Sequence, residues 1–234
     1  MLRQALPGIG RSFRRKEIET QVNLRKWFFL FWTCTAVGGA VTAVTGLIMQ
    51  WTDPSFGFMG FKASGFNAGM MLIVGAMFGV FSQMGFFAYL TLNYIAQSIF
   101  GKQYLWSALQ GYTTAFAAFF LAYVLFDRRD VFGDWLYWTL PLLLGAGSWA
   151  VASVKAKQTN ASAFVPTLFL MFVGTLVEIW PSFGEDSNTN AVFFMLIPLF
   201  ACNAYQILML HRLLKPAAAA PPQGTKAAPG AKQT

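Results

Sequence analysis

Charged side chains are scarce in this 234-residue sequence: Asp, Glu, Lys and Arg make up 11% of it, whereas 56% is hydrophobic. This composition excludes an ordinary water-soluble domain, which keeps more charge on its surface. Cysteine occurs only twice, so neither a disulfide framework nor a C-x-x-C metal or redox pair is available. We interpret Cys34 and Cys202 as apolar packing residues inside predicted helices.

The residue sets that intramembrane enzymes need are also missing. The single histidine, His211, falls at the edge of the last predicted span, so a serine nucleophile has no base. Every Asp falls in a predicted outer loop or flank, which argues against a di-aspartyl enzyme. No H-E-x-x-H motif or similar zinc-ligand spacing occurs. We therefore predict a protein that is not an enzyme, with no catalytic residue, no cofactor and no metal site.

Long uncharged stretches are what the sequence does contain. About 20 apolar residues cross the hydrocarbon core of a bilayer as a helix, and these stretches do not alternate as barrel strands would. We predict an all-α polytopic membrane protein of six transmembrane helices. The predicted spans are Trp27 to Gln50, Phe66 to Leu92, Leu105 to Phe126, Trp135 to Val154, Ala161 to Trp180 and Ala191 to His211.

The distribution of basic residues predicts the orientation. Only Lys62, Arg128 and Arg129, of the 17 basic residues, fall on one side of the predicted spans. Lys and Arg are retained in the cytoplasm during insertion, so both termini should lie there, in a multi-pass protein of the cell (inner or plasma) membrane. Because the positive charge flanks the spans, we predict the lipid bilayer as a partner and no nucleic-acid binding.

Three regions follow from this pattern. Residues 1–26 form a basic cytoplasmic segment, residues 27–212 the six-helix transmembrane domain, and residues 213–234 a Pro/Ala-rich cytoplasmic tail that we predict to be disordered. The apolar part of the first span, about 24 residues, is longer than a signal-peptide core, so we predict an uncleaved anchor. The basic segment fits an interfacial helix or a disordered flank equally well.

Glu178 is the one carboxylate inside a predicted span, and such a group is a candidate proton or ion site. The alternative, which we favour, is that Glu178 reaches the outer headgroup region, because it comes two residues before Trp180 and Pro181.

The second span carries glycines and uncharged polar residues. Gly65 with Gly69, and Gly75 with Gly79, have the G-x-x-x-G spacing that lets helix backbones approach closely. We favour packing inside this chain over a seam for a partner. Gln83 should point into the bundle, since a buried amide needs a partner there. The candidate partners of Gln83 are Gln110, Asn203 and Gln206; further candidate residues are Ser82 and Gly85.

The run from Phe81 to Leu92, with the core Ser-Gln-Met-Gly-Phe-Phe-Ala-Tyr-Leu, resembles the KinB-signalling pathway activation proteins (KbaA) of endospore-forming bacilli. Later motifs that share the likeness are Ile99-Phe100, Leu105-Trp106, Gln110 and Leu125-Phe126-Asp127. The likeness covers roughly residues 27 to 212. It implies a small inner-membrane protein required to activate a membrane sensor histidine kinase that feeds the phosphorelay starting sporulation.

Two functions from different classes remain open. The first is a non-enzymatic regulator that contacts a KinB-type membrane histidine kinase, with residues 69–90 of the second span as the contact surface. The second is a small transporter or channel that supplies a signal or solute, with Glu178, Gln83, Gln110 and Gln206 lining its path.

Overall fold

The computed structural model describes residues 9–53, 56, 64–184 and 188–214, and every regular element in these residues is helical. The tail from residue 215 and residues 1–8 lie outside this part, as does Lys62. The main helices are α1 (Ile9–Thr52), α2 (Ser64–Phe100), α3 (Gln103–Asp127), the short α4 (Arg129–Phe132), α5 (Leu136–Gln158), α6 (Phe164–Phe169), α7 (Thr175–Ile179) and α8 (Thr189–Leu214).

Five stretches of the described residues are long and apolar enough to cross a membrane: Arg25–Thr52, Gly65–Phe100, Gln103–Asp127, Ala161–Phe183 and Thr189–Leu210. They coincide with five of the six predicted spans. The other predicted span, Trp135 to Val154, corresponds to α5. This helix has 23 residues and so measures about 35 Å at 1.5 Å per residue. Its Gly, Ser and aromatic residues lower its hydropathy, and its last turn carries Lys155 and Lys157.

The backbone of residues 9–24 is helical and runs without a break into the first span. The basic N-terminal segment is therefore continuous with α1 over its described residues.

The fifth span is not one regular helix. It begins as a 3-10 turn at Ala161–Ala163, where the Asn160 side chain accepts a hydrogen bond from the backbone N–H of Ala163 at 3.1 Å. It continues as α6, a π-helical turn at Leu170–Gly174, α7 and a final 3-10 turn at Trp180–Phe183. Pro181 lies at the start of that last turn, where its missing N–H costs nothing. We call Ala161–Phe183 the segmented helix.

Helices α1 and α2 approach until their backbones touch. A Cβ on Gly75 would lie 2.5 Å from the Gly38 carbonyl oxygen, and one on Gly79 would lie 2.8 Å from the Cα of Thr35. Only glycine permits this distance, which confirms that this pair of glycines packs within the chain. Gly65 and Gly69, by contrast, have nothing within 4 Å of an added Cβ.

The apolar core lies between α3, α5, the segmented helix and α8, around the fully buried Leu121, Leu140 and Ile179. The outer surface is apolar as well: Phe119 is 77% exposed and Leu142 67% exposed. Large exposed apolar side chains of this kind suit contact with lipid rather than water.

Candidate functional site

A cluster of polar side chains lies inside the bundle where α1, α2, α7 and α8 meet. We call it the polar cluster, and it consists of Cys34, Ser82, Gln83, Thr175, Glu178, Cys202, Asn203 and Gln206. All of its members are at most 2% exposed except Glu178, which is partly buried. Each comes from the interior of a candidate span, so its hydrogen bonds are made with other protein groups.

Asn203 connects three helices at the centre of the cluster. Its Nδ2 donates to Glu178 Oε2 at 2.7 Å and to Thr175 Oγ1 at 3.1 Å. Its Oδ1 accepts the hydroxyl proton of Ser82 at 2.9 Å. One amide thus ties α8 to α7 and to α2, using the oxygen and both N–H groups of a fully buried side chain.

Gln206, one turn further along α8, extends the network to α1. Its Nε2 donates to Ser82 Oγ at 2.6 Å and to the Cys34 sulfur at 3.1 Å. The Cys202 thiol donates to the Cys34 carbonyl oxygen at 3.8 Å, and the Cys34 thiol donates to Gly79 O at 3.9 Å. Both cysteines are buried and neither forms a disulfide, but both thiols take part in hydrogen bonds, so they are not the purely apolar packing residues that the sequence predicted.

Gln83 points into the bundle as predicted, but it pairs with a different group. Its Nε2 donates to the backbone oxygen of Leu30 at 3.3 Å, and its side chain lies beside the Cys34 thiol. The amides of Asn203 and Gln206 bond to Ser82 instead, because consecutive residues on a helix face directions about 100° apart. The prediction that Gln83 pairs with another side-chain amide is therefore wrong.

Glu178 points into the bundle, whereas the favoured prediction was that it reaches the outer headgroup region. The carboxylate contacts Asn203, and its Oε1 occupies the space where a Cβ on Gly85 would lie. Gly85 thus leaves room for this carboxylate between α2 and α7. Although Trp180 follows closely, Glu178 falls on the face of α7 that carries Thr175, and that face packs on α8.

Sequence spacing could have revealed more of the cluster. Thr175 and Glu178 are three residues apart on α7, as are Asn203 and Gln206 on α8, and such pairs share a helix face. Two polar pairs at this spacing, both inside apolar spans, indicate two faces that meet. The π-helical turn Leu170–Gly174 directly precedes Thr175, and π-helical turns are frequent at functional sites.

Gln110 lies apart from the cluster. It is fully buried in α3, near Tyr89, and neither atom of its amide group has a hydrogen-bond partner among the described residues. Tyr89 donates instead to the backbone oxygen of Pro166 at 3.0 Å. Of the residues predicted to line a path, Gln83, Glu178 and Gln206 are brought together and Gln110 is not.

Lys155, in the last turn of α5, is a second buried charged group. It is 6% exposed, and its Nζ donates to the backbone oxygen of Ile207 at 2.6 Å. The fourth predicted span ended at Val154, yet α5 continues to Gln158 and buries the Lys155 side chain against α8.

Arg128 joins the end of α3 to the end of the segmented helix. Its Nη1 donates to the backbone oxygens of Phe183 and Gly184. It borders a pocket of about 540 Å³ that Tyr123, Asp127 and Trp180 also line.

In the part of the chain that the structure describes, no group of three or more His, Cys, Asp or Glu side chains could hold a metal ion. The polar cluster contains two buried acceptor oxygens, Gln83 Oε1 and Gln206 Oε1, that have no hydrogen-bond partner in the described part of the chain.

Fold and site together define an all-helical protein whose long apolar helices suit a bilayer and enclose a polar cluster. The sequence model of the family KbaA, described as KinB-signalling pathway activation in sporulation, matches residues 38–213. The KinB-signaling pathway activation protein of Bacillus subtilis (strain 168) is 36% identical over 186 residues, which cover 78% of this chain and 93% of that protein. The chain belongs to the KbaA family. No solved structure matches it.

Proposed function

We propose that this protein is a multi-pass protein of the cell membrane, with both termini in the cytoplasm, that activates a KinB-type sporulation kinase pathway as a non-enzymatic regulator. The observation that carries the proposal is the family membership together with the name of the Bacillus subtilis relative. The long apolar helices among the described residues support the membrane part of the proposal.

The regulator acts through helix contacts with the kinase. A protein that shifts a kinase towards its active state must bind that state more tightly than the inactive one. In a bilayer, such differences come from close packing between helices and from hydrogen bonds, because lipid is as apolar as the helix surfaces.

The open edge of α2 is the contact surface. Gly75 and Gly79 face α1. We therefore restrict the contact surface predicted over residues 69–90 to the opposite edge of α2. That edge begins at Gly65 and Gly69, where an added Cβ meets nothing within 4 Å. It continues, at steps of three or four residues, through the exposed side chains Ile73, Met77, Phe81 and Met84.

A genetic experiment tests the role. In a strain whose sporulation depends on the KinB-type kinase, deletion of the gene should abolish entry into sporulation, and expression of the full chain should restore it. Unchanged sporulation in the deletion strain would overturn the proposal.

Crosslinking tests the contact surface. A cysteine at Met77, which is 54% exposed on α2, should crosslink to a transmembrane helix of the kinase in intact membranes. A cysteine at Phe119, which is 77% exposed on α3, is the matched lipid-facing control and should not. Equal crosslinking from both positions, or none from Met77, would contradict the α2 surface.

The polar cluster favours a second candidate, a small transporter or channel that supplies a signal or solute. A carboxylate inside a membrane bundle is typical of proton and ion pathways. Gln83, Glu178 and Gln206 would line such a path, without Gln110. If a Glu178→Gln variant activates the kinase pathway as well as the wild type does, ion-coupled transport is excluded as the basis of activation.

A further inference from the structure

A pocket of about 540 Å³ opens where α3 and the segmented helix end side by side. The guanidinium of Arg128 lies in its wall, since Nη1 donates to the backbone oxygens of Phe183 and Gly184, which line the same pocket. Its Nη2 and Nε groups donate to no described residue, so three of the five N–H donors of this side chain remain for a ligand. Such a planar fork binds the oxygens of a phosphate group in pairs. We call this cavity the Arg128 pocket.

Asp127 adds a charge of the opposite sign. Its side chain is exposed, lines the Arg128 pocket and forms no ion pair with a described residue. The rings of Tyr123 and Trp180, both partly or largely exposed, line the pocket as well, and aromatic faces attract ammonium groups. The pocket therefore combines a cation that can bind a phosphate with a carboxylate and aromatic rings that can bind an amine.

An apolar groove of about 300 Å³ continues from the pocket between the same two helices. Phe120 and Trp180 line both cavities, and their rings stack with centroids 5.7 Å apart. Apart from Thr113, every side chain that lines the groove is apolar or aromatic. Thr113 precedes Asp127 on α3 by 14 residues, which is about 21 Å along the helix axis. Half of the hydrocarbon core of a bilayer measures about 15 Å, so groove and pocket together match the depth of one leaflet.

We propose that the Arg128 pocket and this groove bind one molecule of a zwitterionic aminophospholipid, of which phosphatidylethanolamine is the probe. Arg128 binds the phosphate, Asp127 binds the ammonium group, and one acyl chain lies between α3 and the segmented helix. An anionic phospholipid fits less well, because it offers Asp127 no positive charge. The proposed topology assigns this end of the bundle to the outer leaflet. The site goes beyond the regulatory role and requires only that the chain spans a bilayer.

Native mass spectrometry of the delipidated full-length chain in detergent, titrated with lipid, tests the headgroup contacts. We expect saturable binding of one phosphatidylethanolamine, with a Kd roughly threefold lower than that of phosphatidylglycerol with the same acyl chains. Arg128→Ala should raise the Kd for phosphatidylethanolamine about tenfold, because charge-assisted hydrogen bonds are lost. Arg129→Ala is the matched control and should bind like the wild type. The Arg129 guanidinium lies over the Phe126 ring and does not line the pocket.

A second pair of variants tests the groove without altering the Arg128 pocket. Val177→Trp fills the groove from its lipid-facing side and should raise the Kd for phosphatidylethanolamine about tenfold. Leu142→Trp is the matched control, because Leu142 on α5 lines neither cavity and has the same 67% exposure as Val177. Both side chains face outward, so this pair replaces the arginine variants if Arg128→Ala does not fold.

Several results would overturn the proposal. They are the absence of saturable binding by the wild type, equal Kd values for Arg128→Ala and Arg129→Ala, and equal Kd values for Val177→Trp and Leu142→Trp. Binding of phosphatidylglycerol as tight as that of phosphatidylethanolamine would reject the amine contact of Asp127. None of these readouts involves sporulation, so their failure leaves the regulatory proposal in place, and an unchanged deletion strain leaves the lipid site in place.

Discussion

The contact between α1 and α2 leads to a prediction about Gly75→Ala. The added Cβ would lie 2.5 Å from Gly38 O and 2.5 Å from Thr42 Oγ1, whereas ordinary contacts begin near 3.4 Å. The Thr42 side chain is fully buried, so the two helices would have to separate by roughly 1 Å, the difference between these distances.

The expected cost follows from overpacking a tight interface. Overpacking lowers the free energy of unfolding by about 1–3 kcal/mol. The better helix propensity of alanine offsets up to about 1 kcal/mol of this loss. We expect a net loss of about 1–2 kcal/mol, which lowers the Tm of a chain of this size by about 2–8 °C.

The matched control is Gly69→Ala on the same helix. An added Cβ there has no neighbour within 4 Å, so only the gain in propensity applies and the Tm should stay constant or rise. A thiol-reactive fluorophore provides the assay in detergent, because Cys34 and Cys202 are 0% exposed and react only after unfolding. Equal Tm values for the two variants would refute the close contact between the α1 and α2 backbones.

Two further predictions concern hydrogen bonds between helices. In a double-mutant cycle of Ser82→Ala and Asn203→Ala, we expect a coupling of about 0.6 kcal/mol, since their side chains are 2.9 Å apart; additive losses would contradict the contact. Arg128→Ala should lower the free energy of unfolding by about 1 kcal/mol because it removes two bonds to the segmented helix. Arg129→Ala should lower the free energy of unfolding less, since the Arg129 side chain donates only to Phe126 O, three residues away. Equal losses for the two variants would contradict the idea that Arg128 holds α3 to the segmented helix.

Hydropathy predicted the helices well, because a long helix that is apolar on all sides is recognisable from its composition alone. The boundaries of α3 agree within two residues, since Lys102 and Arg128 mark both ends. The packing of Gly75 and Gly79 was also predictable, because only small residues let two backbones touch. The composite nature of the segmented helix was not, since neither a π-helical turn nor a 3-10 turn leaves a signal in hydropathy.

The polar cluster shows where sequence reasoning reaches its limit. The sequence indicates that Gln83 needs a partner, but the choice between Leu30 O and the amides on α8 depends on the rotation of each helix about its axis. Glu178 was assigned to the headgroup region from its distance to Trp180 along the chain. Its actual position depends on Gly85, a residue 93 positions away whose missing side chain makes the space.

The length of α1 has a mechanical consequence. It is a single helix of 44 residues, whose basic first half leads directly into the turns that carry Leu30 and Cys34. A helix transmits rotation and tilt along its axis, so a twist applied near Ile9 is felt at the hydrogen bonds of both residues. The first turn of α1 and the interior of the bundle are therefore mechanically coupled through one continuous helix.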